Sequence, residues 1–545
     1  MTQLLRTGQA PDTSPTPQEV RFRTLSQPGT VRHPPAWPQV LGATASLVVV
    51  LTVLSNRYGY HRDELYFRML PPAWGYTDQP LLTPLLARTT MLLADEPWAL
   101  RLPATILAAA SVIIVSLITR EVGGGRVAQA LAAWGYAYGT FTLNFGHILM
   151  TAAVDLVVWP LVVLFVLRAL FRPQSHWWLL AGLVVGLSTY NKWLVILLVL
   201  SIIGGLMLSG PRQVLRSRAF LAATALAVLT ASPNLVWQAI HGWPQFDMGR
   251  ALSAQNADAV RTLGLPTLLV MIGPLMFPVC VAGFLSVLRG LEWRAARWLA
   301  PALMIMVGLT LAGGSQVHYP YGLVAVIFAV GCAPAADFAR QARSRMMMVG
   351  VAVVVHGLVG VTANLPVLPE RMLAATFLPS VSTGLAEQIG WTSYVQQMDR
   401  VTSRARAEDP GVVVLASNYG EAGALARFSS QPDVLVVSGH NALGYLAGPP
   451  PRTRTVVVVG SRLPRVSGEF TTCRTVDHLD SGFDVDNEEE GQPIAVCTGP
   501  KWPWATLWPA LRHLAEDPQT SPSSAVGRQA PSQPSRTGPW SRPGG

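Results

Sequence analysis

Apolar residues fill most of this chain in blocks of about 17 to 22, separated by short polar segments. A helix of that length crosses a hydrocarbon core of about 30 Å. We therefore predict a polytopic α-helical membrane protein with about eleven spans. The predicted spans are residues 40–55, 100–119, 127–143, 148–167, 177–189, 193–208, 220–240, 265–288, 298–313, 321–337 and 347–363.

The pattern changes after residue 363, where short β-branched runs bounded by turn residues replace the long apolar blocks. The strand–helix–strand order of these runs favours a small, mostly parallel sheet. Strands are predicted at 412–416, 433–438, 455–460 and 493–497, and helices at 384–407 and 421–427. The chain then divides into a tail at 1–37, a transmembrane domain at 38–365, an α/β domain at 366–517 and a second tail at 518–545. Both tails are polar and rich in proline, so we expect them to be disordered.

The arginines indicate how the chain is oriented in the membrane. Only 13% of the residues are charged, and the net charge of +10 comes mostly from arginines scattered between the apolar blocks. This pattern is typical of cytoplasmic membrane loops and argues against a nucleic-acid partner. The arginines cluster in alternate loops, so these loops and the N-terminus are predicted to be cytoplasmic. An odd number of spans then places the C-terminal α/β domain outside the cytoplasm.

The connection between the first two predicted spans, residues 56–99, is unusually long. Within it, residues 62–70 and 80–93 have the pattern of short amphipathic helices. Such helices lie along a membrane surface and do not cross it. We therefore expect an external loop that follows the outer surface of the membrane.

Three carboxylates on this loop are candidates for chemistry. Asp63 and Glu64 follow the first span, and Asp78 lies between Tyr76 and Gln79. A solvated loop with ordinary charges would also explain them. Their aromatic and leucine neighbours, however, favour a partly buried site, where carboxylates are often functional.

Polar residues in or beside the later spans add to this site. Asp155 lies in the outer half of the fourth span, where a carboxylate is costly; it is either functional or paired with His147 or Lys192. Lys192 lies where a lipid phosphate would be, and it either binds phosphate or extends its amine to the interface. His318 and Tyr319 lie on a short external loop, although a lone histidine is more often structural.

The four cysteines and the carboxylates leave two questions open. Cys280 and Cys332 lie in or at the end of spans, where we expect them to be buried and inert. Cys473 and Cys497 both lie in the outer domain, where a disulfide could persist, but their spacing alone does not decide the pairing. No cluster has the spacing of metal ligands, so no cofactor is predicted with certainty, and a divalent cation remains possible.

Several short motifs occur in a consistent order on the outer face. They are Asp63-Glu64, Asp78-Gln79-Pro80-Leu81-Leu82, Asp155, residues 233–238, residues 241–244, His318-Tyr319-Pro320, residues 418–425 and residues 438–441. With these motifs the chain resembles the bacterial GT-C membrane glycosyltransferases, which are relatives of the protein O-mannosyltransferases and the lipid A aminoarabinose transferases. The resemblance extends over residues 40–515.

The resemblance implies a catalytic carboxylate on the first external loop and a sugar donor carried on a polyprenyl phosphate. The corresponding residue is Asp63, with Glu64 beside it. As general base, Asp63 would accept the proton of the acceptor hydroxyl while the hydroxyl attacks the sugar. We expect the chemistry on this loop and not in the outer domain, which has no convincing nucleotide-binding motif.

The chain departs from the aminoarabinose transferases at the second motif. They have Glu-Lys-Pro-Pro where this chain has Asp78-Gln79-Pro80-Leu81, so their phosphate-binding lysine is missing. Arg62, Arg88 or Lys192 would then bind the phosphate. Asp78, Asp155, His318 and Tyr319 complete the predicted substrate-binding set.

Two other functions fit parts of the sequence. A transporter or flippase of polyprenyl-linked sugars or other amphiphiles would explain Asp155, but transporters usually contain repeated halves, and no repeat is evident. A non-catalytic scaffold could use residues 418–425 as a binding loop, although that stretch also fits a strand, a turn and a helix start. We therefore predict a hexosyl- or pentosyltransferase of the cell membrane that acts on an unknown extracytoplasmic protein, lipid or glycan.

The predicted topology can be tested with one added cysteine. Ser429→Cys in the outer domain should react with a membrane-impermeant thiol reagent in intact cells, because that domain is predicted to face outward. The parent protein, with its four native cysteines, is the control. Labelling that appears only after lysis would contradict the topology.

Overall fold

The computed structural model describes residues 33–172, 174–290 and 293–515. The predicted tail at 518–545 lies outside these ranges, as do residues 1–32 of the tail at 1–37. The described chain forms a helical membrane domain followed by a smaller α/β domain, which confirms the predicted fold class.

The α-helices before residue 365 are Trp37–Leu54, Arg62–Met69, Leu82–Met91, Pro97–Glu121, Arg126–Ala137, Thr140–His147, Thr151–Phe171, His176–Ser188, Val195–Ser209, Arg218–Ile240, Pro244–Val270, Phe277–Arg289, Leu299–Gly313, Tyr321–Arg340 and Arg343–Asn364. Those after residue 365 are Glu370–Ala374, Leu378–Val381, Thr383–Ala386, Trp391–Glu408, Tyr419–Phe428, Leu463–Ser467 and Trp504–Leu511. The strands are β1 (Val413–Ala416), β2 (Val436–Ser438), β3 (Thr455–Val459), β4 (Phe470–His478) and β5 (Pro493–Pro500).

Among the described residues, seven helices are long and apolar enough to cross a membrane. An eighth span results if Pro244–Val270 and Pro274–Arg289, which meet at a bend of 71°, form one broken span. The protein is thus a multi-pass membrane protein, as predicted. By length and composition, however, the count is seven or eight and not eleven.

The remaining three predicted spans are shorter helices. His176–Ser188 and Val195–Ser209 are apolar but have fewer than 18 residues. The predicted span at 127–143 is interrupted at Gly139. There the chain approaches another backbone so closely that a Cβ on Gly139 would lie 3.0 Å from the carbonyl oxygen of Ile272. Glycine also disfavours a continuous helix, so the break has a local cause as well.

The sheet of the outer domain has the strand order β2-β1-β3-β5-β4. The first three strands are parallel, but β5 runs antiparallel to β3 and β4. The four predicted strands are confirmed, whereas β4 was missed because most of its residues are exposed and form no hydrophobic run. The sheet is therefore mixed and not mostly parallel. Cys473 and Cys497 lie opposite each other on β4 and β5 and form a disulfide.

The external loop lies between the two domains. Its amphipathic segments form the first loop helix (Arg62–Met69) and the second loop helix (Leu82–Met91), as predicted. The first loop helix packs directly on the outer-domain helix Tyr419–Phe428, where Gly423 leaves room for Leu65: a Cβ at 423 would lie 2.7 Å from the Leu65 Cβ. Leu65 belongs to the same buried apolar cluster as Trp391 of the outer domain. The outer domain thus covers the loop.

Candidate active site

A cavity of about 420 Å³ lies where the external loop, the membrane helices and the outer domain meet. Its polar lining includes Asp63, Asp78, Tyr66, Lys192, Tyr419 and Asn441. Its apolar lining includes Ile196, Leu197, Phe246 and Leu252, which belong to two helices of the membrane domain. One part of the cavity wall is therefore polar, and the other part is apolar.

Asp63 owes its place to the start of the first loop helix. His61 caps that helix: its Nδ1 accepts a hydrogen bond from the Asp63 backbone N–H at 3.2 Å, and the Glu64 carboxylate accepts one from the His61 N–H at 2.9 Å. This reciprocal capping box fixes the first turn. The half-buried Asp63 side chain lines the cavity, and its Oδ1 accepts a hydrogen bond from the Tyr419 hydroxyl at 2.8 Å.

The capping histidine also contacts the outer domain. His61 Nε2 lies 2.9 Å from the carboxylate of Glu387. Burial lowers the pKa of His61, but the hydrogen bond and charge of Glu387 outweigh it, so the pKa lies above its ordinary value. Because Nδ1 accepts from the Asp63 N–H, the ring proton is on Nε2, which donates to Glu387 and holds the start of the first loop helix to the outer domain.

Asp78 is the second carboxylate of the cavity, and its environment differs from that of Asp63. It accepts a hydrogen bond from the Tyr66 hydroxyl at 2.8 Å. Burial raises the pKa of Asp78 to about 7; the Tyr66 hydrogen bond opposes this, and the nearby charge of Asp63 adds to it. At neutral pH Asp78 therefore carries a proton part of the time. Paired carboxylates in unlike environments can take different chemical roles.

Lys192 is the only lysine or arginine among the described residues that line the cavity. Its ammonium group donates to Gln316 Oε1 at 3.4 Å and lies 4.9 Å from the centre of the Tyr319 ring. Tyr319 also lines the cavity. These contacts leave the ammonium at the cavity wall, where it can meet an anion.

Glu64 does not line the cavity, although it is adjacent to Asp63. Its carboxylate forms a two-point ion pair with Arg101, at 3.0 Å and 2.9 Å, and also accepts a hydrogen bond from the Leu149 N–H at 3.1 Å. Glu64 is 0% exposed and Arg101 is 1% exposed. The structure therefore places Glu64 in a buried ion pair and not at the cavity surface.

The other predicted cations also lie outside the lining. Arg62 pairs with Glu488 and lies over the Tyr419 ring, 5.0 Å from its centre. Arg88 is exposed on the second loop helix and donates to the Leu70 carbonyl at 3.4 Å. Of the three predicted phosphate-binding residues, only Lys192 reaches the cavity.

Two further predicted residues are near the cavity but not on its wall. His318 packs edge-on against Phe145, with ring centres 5.3 Å apart. Burial, and then the charge of Lys192, lower the pKa of His318 to about 3, so it is neutral. Asp155 lies one turn into the helix Thr151–Phe171, of which Thr151 lines the cavity.

Some residues of the cavity wall were not predicted. Tyr66 follows Asp63 by three positions on the same helix, so helical spacing could have placed it on the same face. Tyr419 and Asn441 belong to motifs recognised in the sequence, but no local pattern shows that these motifs reach the loop. Asn191 and Gln316 adjoin short turns between helices. Within the described part of the chain, no group of three or more His, Cys, Asp or Glu side chains could hold a metal ion.

Comparisons with known proteins agree with this architecture. The family model described as dolichyl-phosphate-mannose-protein mannosyltransferase matches residues 78–237. ArnT from Cupriavidus metallidurans bound to undecaprenyl phosphate is similar in structure, with a TM-score of 0.54 and 13% identity over 84% of this chain and 98% of ArnT. The arabinofuranosyltransferase AftD from Mycobacteria gives a TM-score of 0.50 and 13% identity, covering 86% of this chain and 40% of AftD. None of the curated proteins compared gives a significant sequence match.

The chain therefore has the fold of the GT-C membrane glycosyltransferases, which confirms the resemblance found in the sequence. The segment matched by the mannosyltransferase family model includes Asp78, Asp155 and Lys192.

The burial of the Arg101–Glu64 ion pair predicts that breaking it costs more stability than breaking a partly exposed pair. Arg101→Met should lower the free energy of unfolding by about 3–5 kcal/mol, because it leaves Glu64 buried without a partner charge. The control, Arg68→Met, breaks the partly exposed pair with Asp95 and should cost about 1 kcal/mol or less. Unfolding of both variants in detergent measures the difference. Equal, small losses would show that the buried pair does not support the loop.

Proposed function

We propose that the protein is an integral-membrane glycosyltransferase that moves a sugar from a polyprenyl-phosphate donor to a hydroxyl acceptor on the outer face of the membrane. The observation that carries this proposal is the single cavity that combines Asp63, Asp78 and Lys192 with an apolar wall of membrane helices. ArnT, which has the same fold, binds undecaprenyl phosphate. A lipid-linked sugar needs both kinds of wall, because its tail is apolar and its phosphate and sugar are polar.

Asp63 is the general base of the proposed reaction. The acceptor oxygen attacks the anomeric carbon, the bond from that carbon to the phosphate oxygen breaks, and the phosphate leaves with the bonding electrons. The acceptor proton passes to Asp63. Such assistance is worth about 10²–10⁴-fold in rate. Direct attack of this kind inverts the anomeric centre.

Lys192 binds the donor phosphate and stabilises the charge that develops on it as it leaves. Its position in the cavity supports this role over Arg62, which pairs with Glu488, and over the exposed Arg88. It thereby takes the place of the missing lysine after Asp78. Tyr319, which contacts Lys192, is a further substrate contact.

Asp78 and Glu64 have supporting roles in this proposal. Asp78, with its raised pKa, adds less negative charge than a fully ionised carboxylate and therefore repels the donor phosphate less. It suits hydrogen bonding to the sugar. Glu64 positions the loop helix through Arg101. Asp155 and His318 are not among the described lining residues and have no direct part in this proposal.

The role of Asp63 predicts a specific loss. Asp63→Asn keeps the size of the side chain but cannot accept the acceptor proton, so sugar transfer should fall by about 10²–10⁴-fold while donor binding changes much less. The assay is transfer from a radiolabelled polyprenyl-phosphate sugar in membranes with equal amounts of each variant. Asp95→Asn is the matched control, because Asp95 is on the same loop but pairs with Arg68 away from the cavity. Near-normal transfer by Asp63→Asn would make Asp78 the next candidate base.

The role of Lys192 predicts that its replacement weakens donor binding as well as sugar transfer. Lys192→Gln should raise the KM for the donor and lower kcat/KM by about 10²-fold, because the phosphate loses its cation in both the bound and the transition state. Arg88→Gln, which removes an exposed cation from the same external face, should leave both constants near those of the parent. Similar effects of the two substitutions would point to a general effect of surface charge.

A further inference from the structure

One side chain of the outer domain reaches the proposed base. The Tyr419 hydroxyl donates a hydrogen bond to Asp63 Oδ1 at 2.8 Å, and both residues line the cavity. No described residue is seen to bond to the other oxygen of Asp63. Both acceptor positions of that oxygen are therefore open to an acceptor hydroxyl.

The local structure holds Tyr419 firmly in this place. Tyr419 begins its helix, and Asn418 caps it: the Asn418 side chain accepts from the Glu421 N–H at 2.9 Å, while Glu421 accepts from the Asn418 N–H at 3.2 Å. Gly420 allows the close packing of this turn, since a Cβ there would lie 2.9 Å from the Trp391 ring. The Tyr419 ring also contacts the Arg62 guanidinium, at 5.0 Å, and the rings of Tyr66 and His440, each at 4.7 Å.

The second carboxylate is held across the same domain boundary. The Tyr66 hydroxyl, which donates to Asp78, accepts a hydrogen bond from the Ala442 N–H of the outer domain at 3.2 Å. A tyrosine hydroxyl therefore connects each cavity carboxylate to the boundary between the domains. The two connections use different residues and different segments of the outer domain.

We infer that Tyr419 is a positioning residue for Asp63, so that the outer domain completes a site whose base belongs to the membrane domain. This inference rests on the proposed function, because it assigns Tyr419 a part in the proposed transfer. A hydrogen bond to a charged carboxylate restricts its rotation and is stronger than a bond between neutral groups. Tyr419 thereby keeps the second oxygen of Asp63 aimed into the cavity.

Tyr419→Phe tests the inference, because it removes the hydroxyl and keeps the ring that packs on Tyr66 and Arg62. We expect kcat to fall by about ten- to a hundredfold and the KM for the donor to change little, because the hydroxyl contacts the base and not the donor. The matched control is Tyr394→Phe. It removes another tyrosine–carboxylate bond of the outer domain, to Glu490 at 2.9 Å, away from the cavity, and should retain kcat. A parental kcat in Tyr419→Phe would overturn the inference.

A double-mutant cycle separates positioning from a general structural role. If Tyr419 acts through Asp63, then Tyr419→Phe should have little further effect on the residual transfer of Asp63→Asn. The same fold loss in both backgrounds would mean that the hydroxyl only supports the structure, and would overturn the inference while the proposed function stands.

A third measurement does not depend on transfer. Carbodiimide-driven amide labelling of Asp63, read by peptide mass spectrometry, should rise severalfold in Tyr419→Phe relative to Tyr394→Phe, because the hydroxyl no longer covers the carboxylate. Unchanged labelling would overturn the contact itself. Absence of sugar transfer by the parent protein, together with increased labelling, would instead reject the proposed function and keep the contact.

Discussion

The buried ion pair of Arg101 and Glu64 is the interaction on which the site depends. Arg101 donates to Glu64 and also to the carbonyls of Ser55 and Gly59 and the side chain of Gln388, at 2.6 to 3.0 Å. These partners come from the end of the first span, the external loop and the outer domain. Because a buried charge is tolerated only when it is paired and hydrogen-bonded, this arrangement requires all three parts to be in place. Asp63, the residue before Glu64, takes its position from it.

Adjacent carboxylates can have separate tasks because of helix geometry. Successive residues on an α-helix point about 100° apart, so Asp63 and Glu64 cannot face the same wall. Glu64 faces inward to Arg101, and Asp63 faces the cavity. Glu64 forms the buried ion pair, and Asp63 is available for the proposed chemistry. Asp63, which lines the cavity, is therefore positioned by its neighbour Glu64, which does not line it.

The polar and apolar parts of the cavity wall suit a substrate that has both a polar head and an apolar tail. Ile196, Leu197 and Leu252 come from helices of the membrane domain, while Tyr419 and Asn441 come from the outer domain. A donor with an apolar tail and a polar head would place its reactive carbon between them. The loop helices Arg62–Met69 and Leu82–Met91 are too short to cross a membrane, and the loop brings Asp63 and Asp78 to the same cavity.

The sequence by itself determined that the chain is a multi-pass membrane protein, and it also determined the two loop helices and four of the five strands. Those features follow from the length of the apolar runs and from local periodicity, and both can be read from a short stretch of sequence. Only the tertiary structure decided that Lys192 lines the cavity while Arg62 and Arg88 do not, and that Gly139 interrupts a predicted span. It also decided that Tyr419 meets Asp63 across 356 positions of the chain. Such contacts depend on how separate elements pack, and a local pattern carries no information about a partner that distant.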